Sequence, residues 1–484
     1  MAKLKLNEEV IKRNAAVCKK QRIIIPTFKQ MKHPETVSQK VKDTLKPVGL
    51  WDINPINLFR ITWHNDHKTG LFGGVNFLEI PHEITGVKAR IIGLVGKYFP
   101  TGAHKVGAAF GCLAPRLVTG EYDAANQKAV WPSTGNYCRG GAFDSALLGT
   151  TAVAILPEGM SKERFDWLHK IGAEVIATPG TESNVKEIYD KCWEIRKTRK
   201  DCVIFNQFEE MGNPTWHYHV TGAAIEEVFN KIKGPKSRLA GFVSATGSAG
   251  TIAAGDYLKK KFPGMTITAS EALQCPTILA NGFGEHRIEG IGDKHIPWVH
   301  NVRNTDVVTA IDDEACMRVL RVFNEPEGHK VLASYGVKQE VIDQLNLLGI
   351  SGISNLLSAI KTAKYYEMGE NDVVFTMFTD SMEMYQSRRK ELDEQLGKYT
   401  ETQAAVDFER RLLGTTVDYM KELTYADRKA VHNLKYFTWV EQQGRNSTDL
   451  RRLWDPEYWD ETFALVDEYD KLIEAFNKEA GVEL

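Results

Sequence analysis

The chain has 484 residues, 61 basic and 63 acidic side chains, a formal net charge of −2 and 43% apolar residues. That length accommodates two or three domains around a large core, and the balanced charge removes the electrostatic case for nucleic acid or an anionic membrane surface as partner. The seven cysteines are scattered, odd in number and without a CxxC pair, which argues for a reducing compartment and against a disulfide framework or a structural zinc site. The N-terminus lacks an apolar signal core and no run of about 18 apolar residues occurs, so a cytoplasmic protein with no membrane span is expected.

In chain order, Asn7 to Lys20 reads as a helix, and the polar, proline-bearing stretch to about residue 85 as irregular structure. Asn54 to Ile61, with Pro55, reads as a lead-in segment or edge strand. Residues 86–392 alternate short apolar runs with longer helical patterns. Val87–Val95, Ala129–Trp131, Thr151–Leu156, Glu174–Ala177, Val203–Phe205, Leu239–Val243, Thr266–Ala269, Val307–Thr309 and Val373–Met377 are the candidate strands. Between them lie helical patterns such as Ser161 to Ile171, Ser183 to Thr198 and Thr221 to Lys233, the first opening on a Ser161 cap. Buried strands alternating with such helices imply βαβ units and a mainly parallel sheet. Residues 325–349 read as an insertion. From about 393 the chain turns to Glu, Arg, Lys and aromatic residues in helical patterns, including Val417 to Leu423. The expected organisation is an N-terminal extension (1–85), a core (86–392) with a mobile domain at about 115–213 and a phosphate-binding domain at about 214–392, and a helical C-terminal extension (393–484).

Three strand-to-helix turns carry candidate chemistry. Tyr98-Phe-Pro-Thr-Gly-Ala-His-Lys105 places a lysine at a helix start, an unfavourable site for a cation beside the positive end of the helix dipole. Ala245-Thr-Gly-Ser-Ala-Gly-Thr251 offers converging N–H groups and the hydroxyls of Ser248 and Thr251 to an anion. It has neither the Gly-Lys-Ser/Thr of a nucleotide P-loop nor a GxGxxG fingerprint, and so fits a phosphate monoester. Trp131-Pro-Ser-Thr-Gly-Asn136 presents hydroxyls and N–H groups suited to a carboxylate, and an amide suited to a phenolate-type oxygen. An amine, a monophosphate cup and a carboxylate-accepting turn together suggest pyridoxal phosphate bound to Lys105 as a Schiff base. No metal motif competes, since HExxH is absent and His217 and His219 are two residues apart.

Eight segments in order then resemble the fold-type II pyridoxal phosphate enzymes, the cysteine synthase and cystathionine β-synthase family of the tryptophan synthase β-like superfamily. They are Tyr98–Lys105, Pro132–Asn136, Leu156–Arg164 with Gly172-Ala-Glu-Val, Asn206–Glu209 with Asn213-Pro214 and Thr221-Gly222, Gly247–Thr251, Gly290-Ile-Gly292, Gly352-Ile-Ser354 and Phe378-Thr-Asp-Ser381. The resemblance implies a two-domain α/β core with the cofactor in the cleft between the domains. By the same resemblance Lys105 anchors the cofactor and shuttles the α-proton. Asn136 meets the ring 3′-oxygen, and Gly247, Ser248, Ala249, Gly250 and Thr251 hold the phosphate. Ser354 faces the pyridine nitrogen, with Asn355 as the alternative. His104 touches the phosphate or packs beneath it. Ser133, Thr134, Gly135, Tyr137, Gln207 and Gly290 surround the substrate.

The implied reaction is β-elimination or β-replacement on an amino acid carrying a leaving group at Cβ, through an aminoacrylate. Alternatives are an ammonia-lyase acting on serine, threonine or a diamino acid, or a partner-dependent, non-catalytic subunit. A small amino-acid substrate, no nucleic acid, no membrane and a homodimer or higher homo-oligomer are the expected partners. Tyr137-Cys138-Arg139 departs from the small residues usual after the asparagine, so substrate identity does not transfer from cysteine synthase; Arg139 is a candidate for a second anionic group. Ala249 stands where a glycine is common, a change expected to cost little.

Overall fold

The computed structural model describes residues 4–133, 135–160, 162–180, 185–292 and 294–483. Two sheets carry the fold. One has the order β5-β4-β3-β6, all parallel, built from β3 (Lys128–Pro132), β4 (Thr151–Pro157), β5 (Glu174–Thr178) and β6 (Cys202–Ile204). The other has seven strands. Its five parallel strands, β2 (Arg90–Val95), β10 (Asp372–Phe378), β7 (Arg238–Ala245), β8 (Thr266–Ala272) and β9 (Val307–Ile311), are flanked by β1 (Phe77–Ile80) and β11 (Met420–Glu422), both antiparallel. The inner strands are buried almost end to end, as parallel strands covered on both faces must be, and this is why they read as continuous apolar runs rather than alternating ones. The chain is a mixed α/β protein built on two largely parallel sheets, with extra helices at its C-terminal end.

Several local expectations are replaced by other structure. Asn54–Ile61 is no strand: Asn54 caps a 3-10 helix, Pro55–Arg60, because proline at its first position lacks the N–H that a helix start leaves unpaired in any case. Val417–Leu423 is not helical either. It supplies β11, whose backbone pairs with the otherwise open edge of β9. The insertion resolves into helices Pro326–Ser334 and Gln339–Ile342. The cap assigned to Ser161 lies outside the described residues; the helix there is Lys162–Lys170.

The two ends of the chain meet. Backbone N–H groups of Phe28 and Lys29 donate to Asp470, and Asn477 pairs its side chain with both backbone groups of Ile25. The C-terminal helices also grip the segment that follows Gly292. Lys435 Nζ, wholly buried, donates to the carbonyls of Trp298 and His300, and Trp439 Nε1 donates to that of Ile296. Trp439 and Trp459 of this region are buried, whereas Tyr419, Tyr425, Tyr436 and Phe437 are exposed.

These layers place the functional loops together. β2 leads to Lys105, β3 to Ser133, β7 to Gly247 and β10 to Thr379, all leaving at the C-terminal ends of parallel strands, where open α/β sheets bind ligands.

Candidate active site

Lys105 is the first residue of the helix Lys105–Thr119, reached through a turn in which Thr101 takes a left-handed backbone (φ 68°). Gly107 must be a glycine here, since a Cβ would sit 2.2 Å from the Trp216 ring. The Lys105 amine donates to Ser248 Oγ at 2.9 Å and to Gln207 Oε1 at 3.4 Å. Ser248 Oγ also accepts from Asn213 Nδ2 at 3.1 Å. The loop around it turns through Ala249 at φ 57° and lies so close to Gly290 that a Cβ on Gly247 would come 2.8 Å from the Gly290 carbonyl oxygen.

Between these groups is a cleft. Its wall holds Lys105, Ser133, Asn136, Tyr137, Gln207, Gly247, Ser248, Ala249, Thr251 and Gly290, all singled out from sequence. Gln207 Nε2 donates to Ser133 Oγ at 3.3 Å, so the lysine, the glutamine and the Ser133 turn form one connected set.

Other assigned residues lie behind the wall. His104 is fully buried, hydrogen-bonded to Thr379 Oγ1 and packed against Trp63 and His217. Burial and the Lys105 charge depress its pKa to about 3, so it is a neutral ring supporting the turn. Gly250 packs on Asn213, where a Cβ would lie 1.9 Å from Oδ1. Gly135 backs onto Arg164, whose Nη1 would be 1.5 Å from a Cβ. Ser354 is turned toward the Cys316 thiol. On the helix Ile350–Tyr365 the residues in the wall are Ser351 and Asn355, one turn apart. Thr134 lies outside the described residues.

Arg139 does not reach the cleft. Its guanidinium is buried over the rings of Trp167 and Trp51, and burial, then the neighbouring Arg164, lower its pKa to about 10. Tyr137 lends its ring to the wall while its hydroxyl lies beside Cys112. Sequence reasoning missed Ser351 in the wall, and gave no role to Phe208 and Thr379 in the wall or Asn213 behind it, although these three lie in the segments that carry the resemblance. Ser351 was legible in principle, because Gly349 opens the helix and fixes which residues fall in its first turn.

The residues fit pyridoxal phosphate. The wall provides an amine, a hydroxyl-bearing cup of small residues at one end, and two buried amide oxygens, Asn136 Oδ1 and Asn355 Oδ1, that lack a hydrogen-bond partner among the described residues. Among the described residues no cluster of His, Cys, Asp and Glu has the makings of a metal site.

The comparisons with known proteins agree. The family model for pyridoxal-phosphate dependent enzymes matches residues 97–344, and the chain belongs to that family. Cysteine synthase of Staphylococcus aureus is 28% identical over 323 residues, covering 66% of this chain and 96% of its own. A probable cysteine synthase of Bacillus subtilis is 30% identical over 289 residues, covering 60% and 85%. The solved structure of a hydrogen sulfide-producing enzyme of Fusobacterium nucleatum superposes with a TM-score of 0.55 at 26% identity, over 68% of this chain and 92% of that one. The protein is thus a pyridoxal phosphate enzyme of the cysteine synthase group.

Proposed function

We propose that the protein catalyses β-elimination or β-replacement on a small amino acid carrying a leaving group at Cβ. The observation that carries this reading is the Lys105 amine, held between Ser248 and Gln207 in the wall of the cleft. The similarity to cysteine synthases supports it.

When bound, pyridoxal phosphate supplies a carbonyl to capture amines and an electron sink beside the substrate α-carbon. The Gly247–Ala249 turn and Thr251 would hold its phosphate through N–H groups and hydroxyls. Asn136 would meet the ring 3′-oxygen, and Ser351 with Asn355 would face the ring from the Ile350–Tyr365 helix. Those two side chains are neutral, so no carboxylate from this helix holds a proton on the ring nitrogen. Ser133 and Gln207 would take the substrate carboxylate. Lys105 is the amine placed to remove and return the α-proton, and Ser248 Oγ and Gln207 Oε1 keep it aimed into the cleft. The partial burial of these groups strengthens each hydrogen bond relative to water. We also assign the chain to the cytoplasm, on its scattered free cysteines, and to a homodimer, by analogy with the group.

The test is an amino-acid panel on the purified protein: serine, O-acetylserine, cysteine, cysteate, threonine and diaminopropionate, with and without sulfide. Absorbance, ammonia, sulfide and 2-oxoacid are read. A pyridoxal band that shifts with at least one β-substituted amino acid, and is lost in Lys105→Ala, is the expected result. A band that no substrate shifts overturns the assignment.

A further inference from the structure

Asn136 stands in the cleft wall, yet one of its two amide N–H groups points to a residue that does not. Its Nδ2 donates to Asp380 Oδ2 at 2.6 Å, and the Tyr385 hydroxyl donates to the same oxygen, also at 2.6 Å. Asp380 and Tyr385 are wholly buried. Asp380 follows β10 of the seven-stranded sheet, whereas Asn136 opens the helix that packs on β3 and β4 of the other. The bond therefore joins the two halves of the site.

The carboxyl group has little room to move. A Cβ at Gly349 would lie 1.9 Å from Asp380 Oδ1, so that oxygen rests on the Gly349 backbone. Tyr385 is itself held, its hydroxyl accepting from Arg164 Nη2 at 3.1 Å. Arg164, Glu289 and Arg139 are the charged groups that surround this carboxyl. Burial raises the Asp380 pKa, and Tyr385, Arg164 and Asn136 oppose that rise. The carboxylate, or the neutral acid with its proton on Oδ1, presents Oδ2 as an acceptor to both donors.

An asparagine amide is broadly two-fold about its last torsion. A fixed acceptor on one side removes that freedom, because turning the carbonyl oxygen toward Asp380 would replace a short hydrogen bond with oxygen–oxygen repulsion. We propose that Asp380, clamped by Tyr385, is the positioning residue that fixes the Asn136 amide against the 3′-oxygen of the bound cofactor. This rests on the assignment of Asn136 to that oxygen. The sequence carries the device as Thr379-Asp-Ser-Met-Glu-Met-Tyr385, in which the carboxylate and its clamp are five residues apart.

The experiment is a pH titration of the absorbance of the cofactor-loaded protein, which reads the protonation of the ring and its 3′-oxygen. Asp380→Ala is expected to move the midpoint between the two absorbing forms by about one pH unit, the scale of one hydrogen bond. Asp380→Asn keeps an acceptor oxygen and is expected to restore the parent midpoint. In an Asn136→Ala background Asp380→Ala is expected to add no shift. If Asp380→Ala does not fold, Tyr385→Phe removes one of the two donors to the same oxygen and is expected to shift the midpoint in the same direction. An unmoved midpoint, or an equal shift in the Asn136→Ala background, overturns the proposal. Absence of a pyridoxal band from the parent, or its persistence in Lys105→Ala, overturns the underlying reading instead.

Discussion

The Lys105 amine lies 2.9 Å from the Ser248 hydroxyl, which ties the first residue of one helix to the loop proposed to cup the phosphate. A cation at a helix start is disfavoured by the dipole, and Ser248 gives it an acceptor there. The same oxygen accepts from Asn213, so Ser248 holds both sides of the cup. Ser248→Ala removes two hydrogen bonds and one donor to the phosphate. The dissociation constant for pyridoxal phosphate, read by titrating the apoprotein, is expected to rise about 10-fold to 100-fold. A constant within two-fold of the parent, as an order-of-magnitude threshold, would show that the backbone alone holds the phosphate.

Ala249 occupies left-handed backbone at φ 57°, so the alanine there carries local strain. Its Cβ meets the neighbouring carbonyl in this conformation, at roughly 1 kcal/mol or more. Ala249→Gly relieves that strain but widens the unfolded ensemble by about 0.4–1 kcal/mol, so the net gain is expected to be small, about 0.5 kcal/mol. Ala249→Val, β-branched in the same conformation, is expected to lose about 1–2 kcal/mol. Denaturant unfolding of the two variants separates them, and equal stability would mean the loop relaxes out of the left-handed region.

The parallel core was legible because buried parallel strands write themselves as uninterrupted apolar runs, as in Val373–Met377. The loops were legible because each strand of the site ends in small or hydroxyl-bearing residues. What escaped depends on tertiary context. Val417–Leu423 has no strand alternation of its own and is strand because β9 offers an open edge. Ser354 and Asn355 are adjacent in sequence, and only the rotation of their helix decides that Asn355 meets the cleft and Ser354 meets Cys316. Arg139 was a candidate for binding an anionic group and instead lies over the rings of Trp167 and Trp51, two residues far from it in sequence.

The C-terminal extension reaches the cleft through a stack of rings. Trp439 packs edge-on against His295, and His295 against Phe208, which stands in the cleft wall. Trp439 is fully buried, and Trp439→Ala is expected to cost about 3–5 kcal/mol and to weaken pyridoxal phosphate binding through Phe208. Trp439→Phe keeps a ring, loses the bond to the Ile296 carbonyl, and is expected to lie between. Deletion of residues 395–484 is expected to yield no soluble folded protein, because it also strips β11 from β9. A soluble, pyridoxal-binding truncation, assayed by absorbance, would rule out a structural role for the tail.

Asp144 is the deepest electrostatic liability in the helix that begins at Asn136. It is wholly buried, and neither carboxyl oxygen has a hydrogen-bond partner among the described residues. Burial drives its pKa well above the usual carboxylate range, so the folded protein holds this proton where the unfolded chain, near 3.8, gives it up. The folded state thus binds more protons than the unfolded state above pH 3.8, and stability falls as pH rises through that window. Each pH unit contributes at most about 1.4 kcal/mol. Asp144→Asn is neutral in both states and removes this slope while keeping the shape. The variant is expected to match the parent near pH 4 and to exceed it by a margin that grows as pH rises toward 7, read as the difference between denaturant unfolding curves at the two values. A difference independent of pH would mean that Asp144 is ionised in the fold and that its charge is met by a partner or by water.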